Sequence, residues 1–479
     1  MEDCIVKIDL GAGKWDIFDV AAAVDGSLIV GDETDFNGIC TDSREAAPGV
    51  LFVALRGERV DGHDYISKAV ELGCKCILAE HIVKNVGSEV SFIIVQNSEN
   101  AIMRMAEVYS KRTSDRKTIG ITGSVGKTTT KEFVGAVLSQ KYETFKTVGN
   151  FNSIIGMPLS LMQMPYNTQT AVLEMAMSGF NEISQMSYAA KPDIAIVTNI
   201  GSSHMEMLGS RENICRAKLE ILDGLKNDGL AILNGDEPLL TERNYGSKNI
   251  MWISLKNCDA DYFAYNIRYC GKSTFFDIKL GEQIYTDVNI FTLGEHNVYA
   301  ALFACAVGDI LGLTEEDIRK GLMAYKSANM RQKIYDVYNI TVIEDCYNAS
   351  PESMIAALNV MKNMEVDKEA KRIAVLGDMR ELGINSREYH ISVGKHAAEC
   401  SDMLFTLGNE AKNIALGARS CGMGEEAITV NLDCESYLAT VSELVDVLRK
   451  GDVLLVKASR AVRAERVIDA LKDILKDRR

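Results

Sequence analysis

The chain has 479 residues, enough for about three hydrophobic cores of ordinary domain size. Its 52 Lys+Arg against 67 Asp+Glu leave a net charge of −15, which excludes the broad cationic surface that general nucleic-acid binding needs. Its 12 cysteines are scattered, with Cys74 and Cys76 the one close pair, so they spell out neither a zinc site nor a disulfide framework; buried thiols in a reducing compartment are expected.

In chain order, Met1-Glu2-Asp3-Cys4 begins with acids and lacks a basic segment followed by an apolar one, so no secretory signal is expected and the location is expected to be cytoplasmic. Strand-like runs at 27–30, 50–55, 76–79 and 91–95 alternate with helical stretches, which predicts a small α/β unit. The polar run 111–117 reads as a solvated linker, placing a boundary between 113 and 114.

A β-prone run at 117–122 then enters Thr122-Gly123-Ser124-Val125-Gly126-Lys127-Thr128-Thr129-Thr130, after which Phe133, Val134, Val137 and Leu138 recur at helical spacing. Strand, glycine-rich turn and helix together make a phosphate cradle. Glycines let the backbone wrap its N–H groups around an anion and the helix N-terminus adds positive potential. Lys127 can reach the outer phosphates, and Thr128 can offer a hydroxyl to magnesium. The common spacing would put glycine at Ile121; here the glycines are Gly120, Gly123 and Gly126, a variant loop. A glycine turn that merely caps a helix is the competing reading.

Further strands are predicted at 170–175, 193–199 and 230–234, with helical patterns between them, as in a doubly wound, largely parallel sheet. A more polar β-rich patch covers 250–291. The apolar stretch 298–313 is interrupted by Asp309 and preceded by His296 and Asn297, so it reads as a buried helix, not a membrane span. Another α/β run opens near Gln332, with strands at 340–345, 372–377 and 452–457. The expected fold class is α/β in three units, 1–113, 114–328 and 329–479: a central P-loop-type, mostly parallel sheet preceded by a smaller domain and followed by a Rossmann-like one.

Polar residues that punctuate strand ends are the first places to look for chemistry in such sheets. Glu174 interrupts an apolar strand, where a magnesium ion or a buried salt bridge would offset the cost of its charge. His204 follows the strand that ends at Asn199, on a loop at the same edge; an exposed histidine is the alternative to a ligand. Lys218 lies on a predicted helix where a solvated lysine is the default. Asp345-Cys346-Tyr347-Asn348-Ala349-Ser350-Pro351 joins a strand to a helix and reads either as a nucleotide-facing loop, with Asp345 on the ribose, or as a simple cap by Asn348 or Ser350. Arg331 and Lys333 could meet phosphate across a cleft, or be solvated.

Together these pieces resemble the Mur ligases, ATP-dependent enzymes that build the peptide stem of bacterial cell-wall precursors. The strings are Thr41-Asp42-Ser43-Arg44, Pro48-Gly49-Val50-Leu51-Phe52-Val53-Ala54-Leu55-Arg56-Gly57, Asp61-Gly62-His63-Asp64, the phosphate loop, Gly149-Asn150-Phe151-Asn152, Leu173-Glu174-Met175, Asn199-Ile200-Gly201 and Ala217-Lys218-Leu219-Glu220. They continue with Asn234-Gly235-Asp236, Gly294-Glu295-His296-Asn297, Asp345-Cys346-Tyr347-Asn348, Leu376-Gly377-Asp378-Met379-Arg380-Glu381-Leu382-Gly383 and Lys457-Ala458-Ser459-Arg460. The absence of an Asp-Asn-Pro-Arg string favours the dipeptide-adding member, which joins D-alanyl-D-alanine to UDP-N-acetylmuramoyl-tripeptide through an acyl phosphate.

The resemblance implies that Thr122, Gly123, Ser124, Val125, Gly126, Lys127, Thr128 and Thr129 bind ATP, with Asn297 at adenine, Asp345 at ribose and Arg331 near the phosphates. It implies two magnesium ions held by Thr128, Glu174, His204 and a Lys218 carbamylated by carbon dioxide, with Lys127, Lys218 and His204 as the catalytic set. Ser43 and Arg44 would meet the uridine nucleotide, Asn150 and Asn152 the sugar-peptide, and Asn348 the dipeptide. A monomer that closes by a hinge near 325–333 is expected, with no nucleic-acid partner and no membrane span. Ser153, Ser350 and Ala458 depart from the family pattern, which would have Asn, Asn and Gly. The alternatives are another Mur-type ligase, a folate-extending ligase, or a nucleotide-dependent switch that makes no amide.

Overall fold

The structure, a computed structural model, describes residues 7–11, 13–57, 60–83, 86–112 and 116–477, the side chain of residue 477 aside. The first six residues, on which the absence of a leader was read, and the 113/114 boundary lie outside the described residues.

Three large sheets follow one another along the chain. The first has six strands in the order Lys7–Asp9, Gly38–Cys40, Val50–Val53, Cys76–Ala79, Ser91–Ile94 and Ser27–Ile29. Its inner strands are parallel and its two edge strands antiparallel. The second sheet has nine strands, ordered Thr144–Lys146, Thr170–Glu174, Lys117–Thr122, Ile194–Val197, Leu230–Asn234, Asn249–Ser254, Tyr262–Cys270, Ser273–Leu280 and Gln283–Ile290. It is parallel until the last two pairings, where the polar patch folds as an antiparallel extension. The third sheet runs Lys333–Val337, Ile340–Asp345, Val453–Lys457, Arg372–Gly377, Met403–Leu407 and Ile428–Asn431, parallel except at its first edge.

The central strands read as continuous apolar runs because helices cover both faces of the sheet. Ile119, Ile121, Val172, Ile194, Ile196 and Ile232 point into one core, shared with Phe133 and the helix Glu295–Ile310. Leu173, Ala195, Val197, Ala231 and Leu233 point into another. That second core is continuous with the first sheet's: Trp15, Met105 and Tyr109 belong to it, and the Tyr109 hydroxyl donates to Met164 O at 2.8 Å. The helix read from 298–313 spans Glu295–Ile310 and is a core helix; no described helix is long and apolar enough to cross a membrane.

Several strands carry no legible signal in sequence. Lys7–Asp9, Gly38–Cys40, Thr144–Lys146 and Lys333–Val337 are short and three of them lie on sheet edges, where neighbouring backbone rather than side-chain pattern defines the pairing. Met403–Leu407 is apolar but too short to tell from a buried helical turn by periodicity. Every described cysteine is a free thiol; the expectation of burial fails for Cys258 and Cys421, exposed on turns, and for Cys270, exposed at the end of the strand Tyr262–Cys270.

Strand order brings the chemistry together. Lys117–Thr122 lies between Thr170–Glu174 and Ile194–Val197, with Ile121 opposite Glu174 and Thr122 opposite Val197, so the loops after all three strands leave one edge side by side. The helix Lys127–Leu138 is anchored beneath that edge by Phe133, fully buried and stacked on Tyr325 with ring centroids 3.7 Å apart. Phe133→Ala should destabilise the protein by roughly 3–5 kcal/mol in urea unfolding; a loss below about 1 kcal/mol would contradict this packing.

Candidate active site

The phosphate loop is shaped by its own glycines and clamped by the neighbouring strand end. Gly123 has φ +147°, and a Cβ there would sit 1.9 Å from Thr198 Oγ1. Gly126 has φ +83° and caps the helix. Asn199 holds Val125 at both backbone atoms: its Oδ1 accepts from Val125 N–H at 2.9 Å, and its Nδ2 donates to Val125 O at 3.0 Å. Ser124 N–H donates to Asn199 O (3.1 Å), and Gly201 N–H donates to Ser124 Oγ (2.8 Å). The first intrahelical bond runs from Thr130 N–H to Gly126 O at 2.8 Å, so the amides of Lys127, Thr128 and Thr129 precede the helical ladder. Ser124 through Thr129 line a cavity of about 220 Å³ between the second and third sheets. Thr122 and Gly123 do not line it; the Thr122 hydroxyl is buried and donates to Met175 O at 2.7 Å.

Lys127 Nζ folds back onto Gly123 O (2.8 Å) and Ser124 O (3.3 Å), and burial pushes its pKa down. Beside it, Glu174 is 1% exposed. It accepts from the Thr128 hydroxyl at 3.0 and 3.1 Å and from Asn152 Nδ2 at 2.8 Å. Lys131, one turn along the helix, also approaches Glu174, at 3.8 Å, while donating to Thr147 O at 2.9 Å and pairing with Glu132 at 3.2 Å. Of the two sequence readings of Glu174, the buried salt bridge is the one the structure realises; its oxygens also gather with a hydroxyl at the loop.

His204 lines the same cavity. It opens the short helix Met205–Leu208 with φ +65°, and its Nδ1 lies 2.8 Å from Glu381 Oε2, a residue of the third unit. Lys218 overturns the solvated default. It is fully buried in the helix Arg211–Leu219, its Nζ has no hydrogen-bond partner among the described residues, and burial, with the nearby Lys127 charge, pushes its pKa well down.

From the third sheet, register sets Asp345 opposite Lys457. Lys457, 1% exposed, donates to Asp345 Oδ2 (2.6 Å) and to Asn348 O (2.9 Å). Asp345 Oδ1 accepts from Gln332 N–H at 3.3 Å. Arg331 lies over the Tyr347 ring, 4.1 Å from its centroid, on the cavity wall. Asn297 is buried at the cavity and donates to Leu293 O (2.7 Å), Thr292 Oγ1 (3.1 Å) and Gln332 Oε1 (3.2 Å), so it ties the second unit to the entry of the third. Asn348 Oδ1 accepts from Ala349 N–H, while Ser350 caps Pro351–Asn363 in a capping box with Ser353; of the two cap candidates, the helix uses Ser350.

Not every candidate converges. Asn150 does not line this cavity, though Asn152 does, and Lys333 is exposed beyond it, in keeping with its solvated reading. Ser43 and Arg44 lie in a turn of the first unit, where Asp42 accepts from Arg44 N–H (2.8 Å) and Nε (2.9 Å). Sequence reasoning passed over Lys131, Asn199, Gln332, Glu381 and Lys457 as individual actors; only the strand-end positions of Asn199 and Lys457 carried a signal.

The clamp has a measurable consequence: Asn199→Ala leaves the Val125 N–H without its partner and the Val125 carbonyl with the Thr198 hydroxyl alone, and should weaken ADP binding about tenfold, near 1.4 kcal/mol. Unchanged affinity by titration calorimetry would show that the loop keeps its shape without the clamp.

Comparison with known proteins agrees with this geometry. Residues 35–116 match the Mur ligase family catalytic domain, 121–308 the Mur ligase middle domain and 330–460 the Mur ligase glutamate ligase domain. The chain is 38% identical over 462 residues to the UDP-N-acetylmuramoyl-tripeptide–D-alanyl-D-alanine ligase of Bacillus subtilis, a match covering 96% of this chain and 98% of that one. A crystal structure of MurF from Acinetobacter baumannii superposes with a TM-score of 0.88 at 29% identity, covering 97% of this chain and all of that one (100%). The MurF ligase of Thermotoga maritima in complex with ADP gives 0.82 at 29% identity, covering 92% and 98%. On these matches, which run along nearly its whole length, the chain belongs to the Mur ligase family.

Proposed function

We propose that this enzyme joins D-alanyl-D-alanine to UDP-N-acetylmuramoyl-tripeptide at the cost of one ATP, giving the UDP-muramoyl-pentapeptide of peptidoglycan synthesis. The observation that carries an amide ligase over a bare nucleotide switch is Lys218. A fully buried amine with no hydrogen-bond partner among the described residues, whose charged form burial disfavours, is suited to add carbon dioxide, and the resulting carbamate would bring a negative charge to a centre rich in lysine.

A carboxylate resists amine attack because it is resonance-stabilised and negatively charged. In the proposed reaction the tripeptide's terminal carboxylate attacks the γ-phosphorus of ATP, ADP leaves, and an acyl phosphate remains. The dipeptide amine then attacks the acyl carbon, and the tetrahedral adduct collapses with loss of phosphate as the amine gives up its proton. Gly126 through Thr129 cradle the phosphates with backbone N–H groups, while the amides of Ser124 and Val125 are held by Asn199 and fix the loop's shape. Lys127, now resting on two loop carbonyls, has stronger acceptors in the phosphate oxygens and offsets the repulsion between the two anions.

Thr128, Glu174, His204 and a carbamylated Lys218 would hold two magnesium ions, which supply charge neutralisation on the transferring phosphoryl group when bound. The donors fit: a hydroxyl and a carboxylate oxygen lie 3.0 Å apart. Among the described residues no three His, Cys, Asp or Glu side chains gather as a metal cluster, in keeping with a cation whose remaining ligands come from phosphate and water.

We assign the uridine nucleotide to 1–113 through Ser43 and Arg44, the sugar-peptide to Asn150 and Asn152, and ATP to 114–328, with Asn297 at adenine. The amine goes to 329–479, with Asn348 on the dipeptide, Asp345 on ribose and Arg331 near phosphate. All these residues belong to one chain, so a monomer suffices, and the soluble nucleotide-linked substrates put the reaction in the cytoplasm.

The decisive assay supplies ATP, magnesium, UDP-N-acetylmuramoyl-tripeptide and D-alanyl-D-alanine and resolves products by mass; ADP without the pentapeptide would sink the ligase reading. Lys127→Ala should lower kcat by about 10²–10³-fold or more with the unfolding midpoint retained, and ligation at the normal rate would contradict its role. Lys218→Ala should lose comparable activity and regain part of it with millimolar acetate; failure of any small carboxylate to rescue would argue against a carbamate.

A further inference from the structure

The contact between His204 and Glu381 belongs to none of the roles assigned above. Glu381 stands in the loop after Arg372–Gly377 of the third sheet, whereas His204 stands at the carboxyl edge of the second. Both residues adopt left-handed backbone, φ +63° and +65°, which a non-glycine residue takes up only when its surroundings hold it there. The surroundings do so at three points: Glu381 O accepts from Glu206 N–H at 3.2 Å, a Cβ on Gly383 (φ +61°) would lie 3.2 Å from Glu206 Cα, and Glu381 Oε2 lies 2.8 Å from His204 Nδ1. The Glu381 charge is also felt by Lys127 of the phosphate loop. A second contact seats the same two units, Glu352 Oε1 accepting from both Ser202 N–H and Ser202 Oγ at 2.8 Å.

A carboxylate can only accept. In the neutral ring, the Nδ1 that faces Glu381 must therefore carry the proton, and the lone pair must reside on Nε2. We propose that Glu381 is a positioning residue for the ligation reaction: by accepting the Nδ1–H of His204 it selects the tautomer and ring orientation that present Nε2 to the cation-and-phosphate site, and it does so only when the third unit is seated. Closure and assembly of the centre are then one event, since the residue that completes the orientation arrives with the unit that brings the amine. A carboxylate partner behind a ligating histidine is a general device for fixing a tautomer. The inference rests on the ligase reading above and deepens it.

The test uses full-length protein labelled with ¹⁵N-histidine; with six histidines in the chain, the His204 signals are assigned by their loss in His204→Ala. Long-range ¹H–¹⁵N correlations with ADP and UDP-substrate bound should show His204 as the Nδ1–H tautomer. Glu381→Ala should move it to Nε2–H and lower kcat by about 10–100-fold, with KM for ATP within about twofold. Glu381→Gln keeps a carbonyl acceptor and should recover most of both. His204→Ala and the His204→Ala/Glu381→Ala double variant should be equally slow, since Glu381 acts through the ring. An Nε2–H tautomer in the wild type overturns the proposal, and this reading stands even if Glu381→Ala does not fold; so does an unchanged tautomer in Glu381→Ala, or losses that multiply in the double variant. The tautomer is read without turnover, so failure of the ligase reading, seen as no pentapeptide from wild type, is separable from failure of this one.

Discussion

The constraint on which the rest depends is the clamp between Asn199 and Val125. A loop that offers its N–H groups to phosphate cannot also spend them on regular structure, so something outside the loop must hold it open. Asn199 does this by pairing with both backbone atoms of a single residue, helped by the Thr198 hydroxyl on the same carbonyl. The arrangement is available only because Ile194–Val197 lies directly beside Lys117–Thr122 in the sheet. Gly123 meets the same need sterically, since any side chain there would collide with Thr198.

Charge balance follows from that geometry. Lys127 lines the cavity, Lys131 and Lys218 are buried without lining it, and Glu174 is the buried carboxylate that pairs with Lys131 and acts on Lys127. Burying unpaired charge is expensive, and the chain distributes the cost: Lys131 is paired, Lys127 rests on carbonyls, and burial pushes the Lys218 pKa well down. A centre short of anions is suited to receive a triphosphate and a substrate carboxylate. The same surplus that costs stability before binding favours the ligands that relieve it.

The third unit completes the cavity through small, backbone-level fits. Met330 and Gln332, at the entry to that unit, have φ +57° and +43°, and Tyr347 N–H reaches back to Met330 O at 3.2 Å. Ala458, where the family pattern has glycine, is fully buried; a Cβ on Gly377 would lie 2.6 Å from its own, so the glycine in the neighbouring strand makes room for it. Ser350, another departure, keeps the helix cap that its position requires. These differences alter side chains without disturbing the loops that carry Asp345 and Asn348.

What the sequence determined by itself was whatever depends on neighbours along the chain. Apolar runs marked the strands Thr170–Glu174, Leu230–Asn234, Ile340–Asp345 and Arg372–Gly377 almost to the residue, and glycine spacing with Lys127 and Thr128 marked the phosphate loop, because backbone freedom, helix capping and periodicity are local properties. Lys218 was invisible to such reasoning: a lysine on a short helix is solvated unless the fold surrounds it, and only the packed structure removes water from its amine. Lys131, Gln332 and Glu381 were hidden for the same reason, each meeting a partner distant in sequence, across strands or between units. Tertiary structure decided the chemistry at these places because burial and charge proximity are set by what the fold brings together in space, and sequence separation carries no measure of either.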